Sequence, residues 1–290
     1  MKDILITGCN GLMGSDLIEK FKDHPDFNLL GLGRQDNPHI KTLNIDLSKD
    51  WSDKELPEKM DIIIHLAQSA NFRNFPESAN ETFIVNTHST LKLLDYARKS
   101  GVTKFIYASS GGIYGNGNLP FTEDSNLQPI KQLGMYLSTK ICSEVLISNY
   151  TSFFEINVLR FFFVYGGKQN DNMFIPRMVY NIRHNNKITL HGSEGIKINP
   201  IHVSDAVDCI VKVLDTKGIP RFNIAGNEVL TLRGICEIIG QKLGTEPVFE
   251  VLNEKPGHLI ADISKMKQYL LEPKVNFSQG ITDITKKYVD

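Results

Sequence analysis

The stretch from Lys2 to Gly14 constrains the fold most. Ile4-Leu5-Ile6-Thr7 is a short apolar run with two β-branched isoleucines, and it reads as a fully buried parallel strand. It stops at Gly8-Cys9-Asn10-Gly11-Leu12-Met13-Gly14. From Ser15 to Lys22 the spacing turns helical, with Leu17, Ile18 and Phe21 on one face. A strand, a glycine turn and a helix in that order make a cradle for a diphosphate. The first glycine allows the tight turn, the second a close backbone approach, and the third close packing of helix on strand. The free N–H groups and positive end of the helix then face the anion.

The same alternation continues. Strands are expected at 27–34, 43–47, 60–67, 104–110 and 156–165. A long amphipathic helix is expected from Glu81 to Lys99, closed by Gly101, and another from near Met135. Strands alternating with helices imply an α/β fold with a doubly wound parallel sheet, its chemistry at the carboxyl ends of the strands. A chain of 290 residues buries enough surface to need no disulfide or metal staple. Cys9, Cys142, Cys209 and Cys236 are scattered and form no C-x-x-C pair, so they read as reduced thiols, and no metal site is expected. A net charge of −1 with interspersed signs argues against nucleic acid or an anionic membrane as partner. The first apolar run is too short for a signal peptide, and nothing approaches the length of a membrane span, so a cytoplasmic protein is expected.

Single residues sharpen this. An acid about 20 residues past the glycines usually holds the adenosine ribose. Here Gly33 and Arg34 stand in that region, and Arg34 is either a partner for the 2′-phosphate of NADP or a solvated loop residue. Asp46 is placed either to accept from an adenine amino group or to cap a turn. His65 ends a β-branched strand and reads as a packed histidine rather than a catalyst. Tyr136 and Lys140 form an i, i+4 pair on a helix that follows the strand end Ser109-Ser110. A phenol near pKa 10 is a poor base at neutral pH. A neighbouring ammonium and a positively charged nicotinamide would both favour the phenolate. With Ser110 to hold the substrate oxygen, such a set suits alcohol–ketone interconversion, the nicotinamide carrying the hydride.

Several pieces then match one family together: Ile6-Thr7-Gly8…Gly11…Gly14, Asp61 to Ala67, Asn86-Thr87-His88-Ser89-Thr90, and Ser109-Ser110-Gly111-Gly112-Ile113-Tyr114-Gly115. Tyr136-Leu137-Ser138-Thr139-Lys140, Leu159-Arg160 to Tyr165-Gly166, Ile201 to Ala206 and Ala261 to Lys265 complete the set. The sequence resembles the extended short-chain dehydrogenase/reductases of the NAD-dependent epimerase/dehydratase family, whose members mostly act on nucleotide sugars. The resemblance implies a Rossmann domain over 1–167 and a smaller α/β substrate-binding lobe over 168–290, interleaved because 199–216 packs back onto the first. It implies catalytic Ser110, Tyr136 and Lys140. Cofactor contacts would come from Gly8, Asn10, Gly11, Leu12, Met13, Gly14, Arg34, Asp46, Leu47, Leu66, Ala67, Ser109, Tyr136 and Lys140. The cofactor would be NAD or NADP, with Arg34 favouring NADP.

Departures narrow the reading. The family's 4,6-dehydratases carry an Asp-Glu pair just after the active-site Ser/Thr, where this chain has Gly111-Gly112. Phe163 replaces the usual substrate-holding Asn. Glu254-Lys255-Pro256-Gly257-His258 is similar to the family's Arg-Pro-Gly-Asp turn, so Lys255, with Lys197, is a candidate partner of the substrate diphosphate, though without an arginine's bidentate fork. The leading expectation is a nucleotide-sugar epimerase acting at C4 through a transient keto intermediate. The alternatives are an NADPH-dependent nucleotide-4-keto-6-deoxysugar reductase and a non-catalytic dinucleotide-sensing regulator. Helices 81–99 and 136–150 resemble those that pair in homodimeric relatives, so a homodimer is expected.

Overall fold

The computed structural model describes residues 1–218 and 220–288. The first strands and helices follow the expected alternation. They are β1 (Lys2–Thr7), α1 (Leu12–Phe21), β2 (Phe27–Gly33), β3 (Lys41–Asn44), β4 (Ile62–His65), α2 (Ala79–Phe83), α3 (Ser89–Lys99), β5 (Lys104–Ser110), α4 (Gly134–Ser148) and β6 (Glu155–Phe161). With the later strand Arg221–Ile224 they build a seven-stranded sheet in the order Arg221–Ile224, β6, β5, β4, β1, β2, β3. β1 pairs in parallel with β2 and β4, β2 with β3, and β4 with β5. In that register Thr7, His65 and Tyr107 stand side by side, so the chain leaves β1 and β4 at one level while β5 runs on to Ser110.

The chain divides into two compact units. One comprises 1–113, 128–160 and 213–222; the other comprises 114–127, 161–212 and 223–290. Within the first unit, the segment 213–222 returns to the rest after a long excursion. Its anchor is Lys104, whose buried ammonium donates to the carbonyls of Val213, Leu214 and Thr216 at 2.8, 3.0 and 2.6 Å. Each unit has its own apolar core. In the first, Leu5, Leu32, Ile63, Leu93, Leu94, Phe105 and Trp51 pack together. In the second, Tyr165, Val179, Ile182, Leu190, Ile235, Ile239 and Ile281 do so.

Several elements depart from the expected ranges for local reasons. The helix expected over 81–99 starts at Ala79 and is broken by a π-helical turn, Ile84–His88, which swings Asn86 inward. There the Asn86 carbonyl accepts from the hydroxyls of Thr90 (2.6 Å) and Ser143 (2.8 Å). β3 is earlier and shorter than 43–47. The strand expected over 156–165 splits into β6 and Val164–Tyr165, because Phe163 takes a left-handed φ of 44°. Asn199-Pro200 separates the strands Lys197–Ile198 and Ile201–His202. Ser204 lies inside the helix Val203–Val213, with its hydroxyl on His202 Nδ1 at 2.8 Å. Thr231 caps Leu232–Leu243, accepting from the Gly234 N–H at 3.0 Å, and left-handed Gly244 closes that helix.

Candidate active site

The glycine turn is closed by its own sterics. Gly8 has φ 69°, and a Cβ there would meet the Ala67 nitrogen at 2.9 Å. A Cβ on Gly14 would stand 2.2 Å from the Gly8 carbonyl oxygen. Gly11 precedes α1 in an extended conformation with no side-chain cap, so the helix's first N–H groups, those of Leu12 and Met13 among them, are left facing the turn's mouth. That arrangement fits a diphosphate. Asn10 ties the turn to the loop after β2: its Nδ2 donates to the Gln35 carbonyl (2.8 Å) and its Oδ1 accepts from Asn37 (2.8 Å).

Arg34 is exposed just past β2. Asp36, two residues on, accepts from Asn44 at 3.0 Å. Asp46 takes the turn-capping role, since its Oδ1 accepts from the Ser48 N–H (3.0 Å) and hydroxyl (2.8 Å). Its carboxyl sits below the usual range: partial burial pushes it up, but the bonds from Ser48, with Arg34 nearby, outweigh that. Leu47 and Leu66 are buried, and Ala67 donates its N–H to the Thr7 hydroxyl at 3.1 Å.

His65 is fully buried and locked at both ring nitrogens, Nδ1 to Thr7 Oγ1 at 2.6 Å and Nε2 to Thr90 Oγ1 at 2.9 Å. Thr90 spends its own proton on the Asn86 carbonyl, so Nε2 is the donor to Thr90 and Nδ1 accepts from Thr7. Burial, helped by the charge of Lys140, holds its pKa down at about 3. The packed-histidine reading describes it well.

Ser110, Tyr136 and Lys140 come together between the end of β5 and the start of α4. The Ser110 Oγ accepts from the Gly112 N–H at 3.2 Å. Lys140 is buried, and its Nζ donates to the Ala108 carbonyl at 2.8 Å, 5.8 Å from the centre of the Tyr136 ring. Burial lowers its pKa to about 7, against the opposing pull of Glu144. In the chain alone, burial raises the Tyr136 phenol to about 12, and what opposes that rise is the Ser110 hydroxyl and the charge of Arg73, not Lys140. The chain alone thus favours the protonated tyrosine, and one of the lysine's N–H groups is taken by the strand carbonyl.

Three residues around this centre were not singled out from the sequence. Glu144 lies one turn beyond Lys140 and forms a buried bidentate pair with Arg160, at 3.1 Å from Nε and 2.6 Å from Nη2. It also accepts from the Ser109 hydroxyl at 2.5 Å. The i+4 spacing from Lys140 was a usable signal. Gln68, whose Oε1 accepts from the Tyr136 phenol at 3.1 Å, gave no such signal, being 68 positions away.

In the second unit Lys197 and Lys255 are both exposed. The Lys197 N–H donates to His258 Nδ1 at 3.1 Å, which joins the 254–258 turn to the strand Lys197–Ile198. A cavity of about 260 Å³ lies there, lined by Asn116, His191, Ile196, Leu232, Pro256 and Gly257. At its rim His191 Nδ1 pairs with Glu254 at 2.7 Å. Among the described residues no group of His, Cys, Asp or Glu could hold a metal, and no helix is long and apolar enough to cross a membrane.

A parallel sheet with a glycine cradle at one strand end and a Ser–Tyr–Lys cluster at another defines a dinucleotide-dependent enzyme of the extended short-chain dehydrogenase/reductase type. The model of the NAD-dependent epimerase/dehydratase family matches residues 4–225, and the chain belongs to that family. Among curated relatives, an uncharacterised UDP-glucose epimerase, YtcB, of Bacillus subtilis is 27% identical, the match covering 97% of this chain and 96% of the relative. The dTDP-D-glucose 4,6-dehydratase of Mus musculus is also 27% identical, over 99% of this chain and 88% of its own. Among solved structures, the UDP-glucuronic acid 4-epimerase of Bacillus cereus, held with a fluorinated substrate analogue and NAD, superposes with a TM-score of 0.86 at 24% identity, covering 99% of both chains.

Proposed function

We propose that this chain is a nucleotide-sugar epimerase that inverts C4. The observation carrying this is the composition of the catalytic corner. Ser110, Tyr136 and Lys140 are assembled, while the backbone of Gly111 and Gly112 stands where a dehydratase would place its acid and base. Alcohol oxidation and re-reduction is supported; elimination of water lacks its residues. Tyr136 exchanges the proton of the C4 oxygen, Ser110 orients that oxygen, and Lys140 braces the strand end while offering its remaining N–H groups to the ribose. A nicotinamide dinucleotide on the Gly8–Gly14 turn supplies hydride exchange with the carbinol carbon and, when oxidised, a positive ring charge that favours the phenolate. By the family resemblance, Lys197 and Lys255, both exposed in the second unit, are the candidate cations for the substrate diphosphate.

The test is stoichiometry. Wild-type protein given UDP-glucose, UDP-glucuronate or UDP-N-acetylglucosamine should form the C4 epimer of at least one with catalytic dinucleotide. Consumption of one NADPH per 4-keto-6-deoxysugar reduced, with no epimer from any sugar, would instead establish the reductase. For the cofactor itself we favour NADP(H), because Arg34 follows β2 where an acid would read the ribose hydroxyls. Tenfold tighter binding of NAD would overturn that preference. A homodimer is supported by the apolar side chains that α2, α4 and the turn after α4 leave exposed, Phe83 at 47%, Val145 at 59% and Phe153 at 57%. Sedimentation equilibrium decides it.

A further inference from the structure

We propose that Gln68 is a further residue of the proton-transfer centre, holding the Tyr136 oxygen in both protonation states by turning its side-chain amide. This rests on the epimerase reading for its chemistry but not for its geometry. The Tyr136 O–H donates to Gln68 Oε1 at 3.1 Å. A phenolate has no proton to give, and a carbonyl oxygen facing it would repel it. Half a turn about the last side-chain bond replaces Oε1 with the Nε2 donor. Gln68 is exposed, so the amide has room to turn. The proton itself passes between Tyr136 Oη and the substrate oxygen; Gln68 gains and loses none.

The contact is built rather than incidental. The next residue, Ser69, donates its N–H to Asn86 Oδ1 at 2.8 Å. Asn86, buried in the π-helical turn, donates in turn to Thr139 Oγ1 at 3.0 Å, and that hydroxyl caps the Tyr136 carbonyl at 2.7 Å. One buried amide thereby pegs the backbone beside Gln68 to the helical turn that carries the tyrosine. Further along the loop, the Phe72 ring lies 4.4 Å from the Tyr136 ring, and the Arg73 guanidinium 4.4 Å over Phe72. The segment 68–73 forms one wall of the phenol's site.

The decisive comparison is Gln68→Glu against Gln68→Leu, each in the dinucleotide-loaded protein carrying ¹³Cζ-tyrosine, with Tyr136→Phe identifying the resonance. The glutamate puts a like charge on the phenolate and should raise the titration midpoint by about one pH unit or more. The leucine removes the donor that the phenolate needs and should also move the midpoint up, by less. In turnover both should lower kcat at neutral pH, with partial recovery at higher pH for the glutamate, while KM stays within about twofold. Gln68→Asn should not match wild type, because its shorter stem cannot reach. Midpoints in both variants within about 0.2 of wild type would overturn the proposal. The resonance titrates whether or not any UDP-sugar is turned over, so failure of the epimerase reading is seen separately.

Discussion

His65 offers a quantitative test of the first unit's interior. Its folded pKa is about 3, held there by burial, against a reference near 6.5 in an unfolded chain. Between those values the unfolded state binds a proton that the folded state refuses, so stability must fall as the solution is acidified from pH 6.5 toward 3. Each pH unit in that window costs about 1.4 kcal/mol, or roughly 3 kcal/mol by pH 4.5. Lys140 does not blur the result. Its depressed pKa of about 7 places its own slope between about 7 and 10.5, where stability rises with pH. The assay is urea unfolding followed by Trp51, the sole tryptophan, which is buried in the same core. Wild type and His65→Gln are compared from pH 4.5 to 7.5. The substitution will change the absolute stability through the lost Thr7 and Thr90 bonds, but the pH dependence of the difference isolates the histidine. Wild type should lose about one proton's worth of slope more than the variant below pH 6.5. A difference that is flat across the range would mean that the folded ring takes up a proton as readily as the unfolded one, and that burial does not hold it neutral.

Tyr136→Phe should lower kcat by about a hundredfold to ten-thousandfold while leaving dinucleotide affinity near wild type, measured by fluorescence titration. Gly14→Ala drives a methyl into the Gly8 carbonyl and should abolish dinucleotide binding with a stability loss of at least about 1–3 kcal/mol, read by denaturant unfolding. Arg160→Met strands the Glu144 carboxylate and should cost about 3–5 kcal/mol, whereas the double change with Glu144→Leu should recover much of it.

What the sequence disclosed follows from how local each signal is. The glycine turn, the β-branched strands and the Tyr136–Lys140 spacing are short-range patterns, and each reports its own backbone. What escaped depends on long-range geometry. The break at Phe163 is a single residue in a left-handed conformation inside an apolar run that otherwise favours one strand. The π turn at Ile84–His88 answers to Thr90 and Ser143, which no helical periodicity reveals. Spacing placed Lys140 near the phenol but did not announce its hydrogen bond to the Ala108 carbonyl or the burial that lowers its pKa. Gln68 reached Tyr136 across 68 positions with no pattern to announce it.

The threading of the first unit has a consequence for how the protein is made. The strand Arg221–Ile224 flanks β6, and the ammonium of Lys104 clasps the carbonyls of Val213, Leu214 and Thr216 just before it. A ribosome that has released only the first 167 residues has therefore delivered a layer whose outer margin is bare and whose buried lysine lacks the three carbonyls that accept from it, with only Glu155 nearby. Nascent chains halted there should be caught by holdases and proteases, and release of about fifty more residues should end that susceptibility abruptly.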